Sequence, residues 1–160
     1  MLLSDVLERI CGDLGVNLSQ MLAGSFMVSA DNAHAIHPNH PEFADSANAP
    51  VLGGGVVLKF NSSQRYTTDG ISAAIFRKVC AKVNVPVQTY YNRADVPGGS
   101  TLGHISLTHV SVPSADIGLP QLAMHSSFET ASVKDSIYLE EAMAAYYGST
   151  LQVHREGYTL

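Results

Sequence analysis

The stretch Gly55-Val-Val-Leu-Lys-Phe60, then the polar Asn61–Tyr66, then Thr68-Asp-Gly-Ile-Ser72 and finally Val85-Pro-Val-Gln-Thr-Tyr-Tyr91 decides the fold. The first run is short, apolar and rich in valine, as a buried strand is. Thr68-Asp69-Gly-Ile-Ser opens a helix predicted to run to about Val83, with Ile71, Ala74, Ile75, Val79 and Val83 as its buried stripe. The run from Val85 to Tyr91 is then a second strand. Strand, helix, strand in this order is the unit of a parallel sheet.

The unit extends in both directions. Upstream, residues 2–14 place Leu3, Val6, Leu7 and Ile10 on one helical face, with Ser4 as a possible N-cap. The apolar run Leu22-Ala-Gly-Ser-Phe-Met-Val-Ser29 stops just short of Asp31 and is expected to be a buried strand. A loop rich in Pro, Asn, Ala and Gly covers Pro38–Gly55. Downstream, Pro97-Gly-Gly-Ser-Thr101 is a glycine turn before a short helix near 101–110. Ser114-Ala-Asp-Ile-Gly118 is a further strand with the loop Leu119–Ser126 beyond it, and a last helix covers about 132–147. The tail Gly148–Leu160 frays or adds an edge strand. The prediction is one α/β domain, a largely parallel sheet sandwiched by helices.

Composition narrows the function. The 160 residues are 46% hydrophobic and 14% charged, with a formal net charge of -5 and no basic cluster, which argues against a nucleic-acid face. No apolar run reaches membrane-spanning length, and the opening residues lack a signal-peptide core. Cys11 and Cys80 fall inside predicted helices and read as buried thiols, suiting a reducing compartment. A soluble, cytoplasmic protein with no nucleic-acid or membrane partner is expected.

Ligands of open α/β sheets collect beyond the carboxyl ends of strands. Asp31 stands at such an end, and His125 lies one loop beyond another. Together they offer an oxygen and a nitrogen donor of the kinds zinc accepts. The alternatives are that Asp31 caps the following turn and that His125 is a buried, hydrogen-bonded imidazole. His34, His37 and His40 are spaced as H-x-x-H-x-x-H, but Pro38 forces the chain out of regular helix, so His34 and His37 read as supporting residues that orient Asp31 or line a pocket. Glu140-Glu141 lies on the last helix and reads as a solvated face. Lys59 and Arg65-Tyr66 could meet a substrate carboxylate or a developing oxyanion, and Gly98-Gly-Ser-Thr101 could present backbone N–H groups to an anion.

Several of these segments occur in an order that resembles the C-terminal part of the M18 metalloaminopeptidases. They are Ser29-Ala-Asp-Asn-Ala-His-Ala-Ile-His-Pro-Asn39, Lys59-Phe-Asn-Ser-Ser-Gln-Arg-Tyr-Thr-Thr-Asp69, Val85-Pro-Val-Gln88, Gly99-Ser-Thr-Leu-Gly103 and Asp116-Ile-Gly-Leu-Pro-Gln-Leu-Ala-Met-His-Ser126. The resemblance implies a zinc-peptidase-like catalytic domain with two Zn2+ ions per complete site, removing N-terminal residues from peptides. It implies Asp31 as a ligand of one ion and His125 as a ligand of the other. It implies Lys59, Tyr66, Gly99, Ser100 and Thr101 beside the substrate. Where the family shows cysteine and proline this chain has Gly98 and His104, and Ser126-Ser-Phe-Glu129 replaces Ser-Ile-Arg-Glu. These departures bear on a preference for acidic substrates. The general-base Glu, the His-x-Asp pair and an intervening oligomerisation domain have no match within residues 1–160. The expectation is therefore the C-terminal portion of a catalytic domain, weak in zinc and inactive alone. It would act as a homo-oligomer or with a separately supplied N-terminal segment, the alternative being a non-catalytic domain that binds a peptide or partner.

Overall fold

The computed structural model describes residues 2–96 and 98–160, so Pro97 of the predicted glycine turn lies outside the described residues. In chain order the elements are helices α1 (Leu2–Leu14) and α2 (Leu18–Ala23), strands β1 (Met27–Ala30) and β2 (Ala33–His34), a 3-10 turn at Pro41–Phe43, and strand β3 (Val56–Phe60). Helix α3 (Gly70–Lys82), strand β4 (Val87–Tyr91), helix α4 (Leu102–Leu107) and strands β5 (Ser114–Gly118), β6 (Pro120–Leu122) and β7 (Thr130–Ala131) follow. Helix α5 (Val133–Tyr147) and the hairpin β8 (Gln152–His154) and β9 (Gly157–Thr159) complete the chain.

The central sheet has the order β1-β5-β3-β4. The pairs β1/β5 and β3/β4 are parallel, and β3/β5 is antiparallel, so the sheet is mostly parallel and reverses direction once. Period-two alternation gives it two unlike faces. Val56 and Leu58 of β3 and Ala115 and Ile117 of β5 share a core with Ala73, Phe76 and Cys80 of α3 and Ala142 of α5. The alternate residues Val57, Lys59 and Asp116 are buried on the other side, where Gly103 of α4 rests against Asp116 and Ser29. Helices therefore cover both faces, as expected.

Four expectations need correction. Leu22 and Ala23 are helical, not the start of a strand: the Asn17 side chain accepts from Gln20 N–H at 3.1 Å and Gly24 closes the turn, leaving only Met27–Ala30 extended. In α3 the buried residues are Ser72, Ala73, Ile75, Phe76, Val79 and Cys80, while Ile71, Ala74 and Val83 are exposed. Asp69 caps this helix in a reciprocal box with Ser72, which fixes its rotation. The loop after β5 holds two short strands that form a second sheet, order β2-β6-β7. The tail is a separate hairpin and adds no strand to the central sheet.

The second sheet continues the first. Beyond β1 and β5 the parallel ladder runs on through Asp31 N–H to Ile117 O at 2.9 Å, Ala33 N–H to Leu119 O at 2.8 Å and Ala35 N–H to Gln121 O at 2.9 Å. Strand assignment lapses on both segments at the same place, Asp31-Asn32 and Leu119. Gly118 permits the close approach there, because a Cβ would stand 1.8 Å from the Asp31 carbonyl oxygen. Across this break the Asn32 amide bonds to the Gln121 side chain and accepts from Leu119 N–H at 3.3 Å.

Asp135 pins the approach to β3. Its fully buried carboxylate accepts from Gly53 N–H at 2.7 Å and Gly55 N–H at 2.9 Å. Cys11 and Cys80 are buried free thiols, as predicted, and burial pushes the Cys80 thiol up to about 11.

Candidate active site

Asp31 lies exposed in the break between β1 and β2 and is anchored from beneath. Lys59 is 1% exposed, and its ammonium donates to the carbonyl oxygens of Asp31 at 3.0 Å and Asn32 at 3.3 Å. Its Nζ also lies 3.9 Å from Asp31 Oδ2 and 5.0 Å from the centroid of the buried Tyr66 ring. Burial holds Lys59 below the ordinary ammonium range, against the pull of the Asp31 and Asp116 carboxylates. The same burial pushes the Tyr66 phenol up to about 12. Lys59 and Tyr66 thus form the floor under Asp31 and do not project freely into solvent.

His125 lies in the turn after β6, the strand paired with β2. Past Gln121 the chain turns with left-handed backbone at Ala123 (φ 54°) and His125 (φ 67°), and Ser126 N–H closes the turn on Ala123 O at 3.0 Å. Glu129 holds the strained residue by accepting from His125 N–H at 2.6 Å. Non-glycine residues in this region carry strain of about 1–3 kcal/mol each and cluster at functional sites. The imidazole is exposed, which excludes a buried core histidine. His34 lies on the paired segment after Asp31 and is held below the usual imidazole range by partial burial, then by charge on His125 and on Lys59. Residues 31–35 pair along 117–121, so Asp31 and the turn that carries His125 belong to neighbouring segments of one ladder.

A cavity of about 390 Å³ opens beside it, lined among others by His34, His37, His40, Phe43, Tyr90 and Arg93. His37 and His40 lie 5.4 Å apart and His40 stacks on Phe43 at 5.3 Å, so they build the cavity wall. Of the predicted turn, Gly99 and Ser100 are exposed, whereas Thr101 is buried and donates to Asp116 Oδ1 at 2.5 Å. Glu140 and Glu141 are exposed on α5. Among the described residues no group of three or more His, Cys, Asp or Glu side chains is arranged to hold a metal ion. A catalytic zinc normally takes three protein ligands, so the donors of this chain do not by themselves make a zinc site.

Sequence reasoning missed Asp116, Thr67, Gln121 and Glu129. One signal was available for Asp116, a carboxylate inside the otherwise small and apolar run Ser114–Gly118.

The fold is an open, mostly parallel α/β sheet with the exposed Asp31 and His125 in the loops beyond its strands. The chain belongs to the M18 family of aminopeptidases: the family described as "Aminopeptidase I zinc metalloprotease (M18)" matches residues 1–147. A "Probable M18 family aminopeptidase 2" of Clostridium novyi is 44% identical over 149 residues, covering 91% of this chain and 34% of that protein. The fold matches a solved structure of an Ape4 and Nbr1 complex with TM-score 0.87 at 38% identity, over 91% of this chain and 28% of that one. It also matches aminopeptidase I from Clostridium acetobutylicum with TM-score 0.76 at 25% identity, over 89% of this chain and 33% of that one. The chain spans about a third of the length of the curated relatives it matches. No helix among the described residues is long and apolar enough to cross a membrane.

Proposed function

We propose that this chain contributes part of an aminopeptidase centre that removes N-terminal residues from peptides. Asp31 supplies one zinc ligand and His125 supplies one ligand to a second zinc. The remaining ligands and the general base come from residues outside the 160. Gly99 and Ser100 face the peptide, with Lys59, Tyr66 and Thr101 supporting that side from below, and His34 and His37 lining the adjacent wall. The observation that carries this reading is the pairing of residues 31–35 along 117–121, which sets Asp31 on one segment and His125 four residues beyond Gln121 on its neighbour. A homo-oligomer is the assembly in which such a site would work.

The test is hydrolysis of aminoacyl-p-nitroanilides with Zn2+. The 160-residue chain alone gives no turnover. Mixed with a separately expressed polypeptide carrying a His-x-Asp pair and a Glu-Glu pair, it gives turnover that Asp31→Ala or His125→Ala abolishes. Appreciable turnover by the chain alone, or turnover in the mixture untouched by both substitutions, contradicts the reading. A second reading, a binding module without catalysis, draws on the His- and aromatic-lined cavity. It predicts peptide binding that needs no Zn2+ and survives both substitutions.

A further inference from the structure

Asp116 sits fully buried on a central strand, on the face opposite the apolar core. Its Oδ2 accepts from Thr67 N–H at 2.5 Å and lies 2.8 Å from the Thr67 hydroxyl, which is 2.9 Å from Ser114 Oγ. Its Oδ1 accepts from the Thr101 hydroxyl at 2.5 Å, and its own N–H donates to Thr68 Oγ1 at 2.8 Å. Gly103 completes the enclosure: a Cβ there would stand 2.8 Å from Oδ1 and 2.9 Å from Oδ2, so only a glycine lets α4 rest on the carboxylate.

Burying a carboxylate is unfavourable unless donors surround it, and an apolar side chain of matched shape often stabilises such a position at least as well. An apolar residue, however, cannot hold two loops to one point in fixed directions. The two loops concerned are the ones that matter here. Thr67 follows Tyr66, the ring beneath Lys59, and Thr101 ends the Gly99-Ser-Thr turn.

We propose that Asp116 is a positioning residue whose carboxylate couples the Tyr66–Thr68 loop to the Gly99–Thr101 turn, so that order in one segment is transmitted to the other. That these segments flank a peptide rests on the peptidase reading above; the coupling itself does not. Each oxygen of the carboxylate serves one loop, so loosening either threonine frees the carboxylate to turn and weakens its hold on the other.

Amide hydrogen exchange by NMR on the full chain tests this. Thr101→Val leaves Thr67 untouched yet is expected to speed exchange of the Thr67 amide by about fivefold or more, the coupling typical of groups in one hydrogen-bonded network. Thr101→Ser keeps a hydroxyl and returns the Thr67 rate to within about twofold of the parent. The amides of Val57 and Leu58 hold their rates in both variants. An unchanged Thr67 rate in Thr101→Val overturns the proposal, as does a parallel rise at Thr67, Val57 and Leu58, which marks general loosening, or a serine variant that behaves like valine. Asp116→Asn adds a direct check, and the threonine pair decides the matter if that variant does not fold.

A second arm adds Zn2+ and leucine hydroxamate to the labelled chain mixed with the polypeptide carrying the His-x-Asp and Glu-Glu pairs, and follows the Gly99 and Ser100 amide shifts. These shift in the parent and in Thr101→Ser and shift less in Thr101→Val. Equal shifts in all three overturn the positioning role. No shift in the parent contradicts the peptidase reading instead, and the exchange rates then decide the coupling alone.

Discussion

At the scale of single residues, the site depends on one lysine whose charge is turned inward. Lys59 holds the two backbone carbonyls of Asp31 and Asn32, in the break between β1 and β2. Hydrogen bonds to a charged donor contribute about 1.5–3 kcal/mol each, and an acceptor left unsatisfied in the interior costs a similar amount. Lys59→Met keeps the aliphatic volume and removes the donor. It is expected to lower unfolding stability in urea by about 2–3 kcal/mol. A loss below about 0.5 kcal/mol, the usual range for a surface substitution, would mean that Lys59 does not anchor the Asp31 loop. Asp31 and His125 could be picked out from the sequence because each stands just beyond an apolar run. Asp116 showed only as a carboxylate inside an apolar run, and its role could not be read because its partners Thr67 and Thr101 lie 49 and 15 residues away in the chain. The roles of Lys59 and Tyr66 as a floor were hidden for the same reason: spacing says that a lysine ends a strand, and only the fold says that the chain after β1 crosses above it.

At the scale of elements, what could be read in advance is what local periodicity encodes. β3, α3, β4, β5 and α5 each carry a pattern long enough to specify themselves, and all five form near the expected residues. The strands β2, β6 and β7 are two or three residues long and extend the β1/β5 ladder past its break. Helix α2 was masked by apolar Leu22 and Ala23 and is specified by a cap that precedes it, at Asn17. The close approach of the two segments at the break requires Gly118. Gly118→Ala would press a methyl group into the Asp31 carbonyl, which is backbone and cannot swing aside, so the variant is expected to lose about 3 kcal/mol or to displace the Asp31 loop. Gly12→Ala, in α1 with nothing within 4 Å of the new methyl, is instead expected to gain up to about 1 kcal/mol. Denaturant midpoints of the two variants check the contrast, and equal effects would mean that Gly118 is not required for the close approach to Asp31.

At the scale of the whole molecule, the sheet ends in two edge strands, β1 and β4. Leu3, Val6 and Ile10 form an apolar stripe of α1 that is 40–46% exposed. Free strand edges and contiguous apolar surface both favour association. The isolated chain is expected to associate as its concentration rises, and light scattering that stays monomeric across the range would contradict that. The central claim is that Asp31 and His125, 94 positions apart by number, serve one metal-binding region although this chain alone cannot complete it. Paramagnetic broadening tests it most directly: substoichiometric Mn2+ added to the labelled chain, with NMR signals followed residue by residue. The account predicts weak binding that broadens Asp31 and His125 together and is diminished at both by either Asp31→Ala or His125→Ala. Broadening confined to one of them, or centred on His37 and His40 and unaffected by both substitutions, would contradict it.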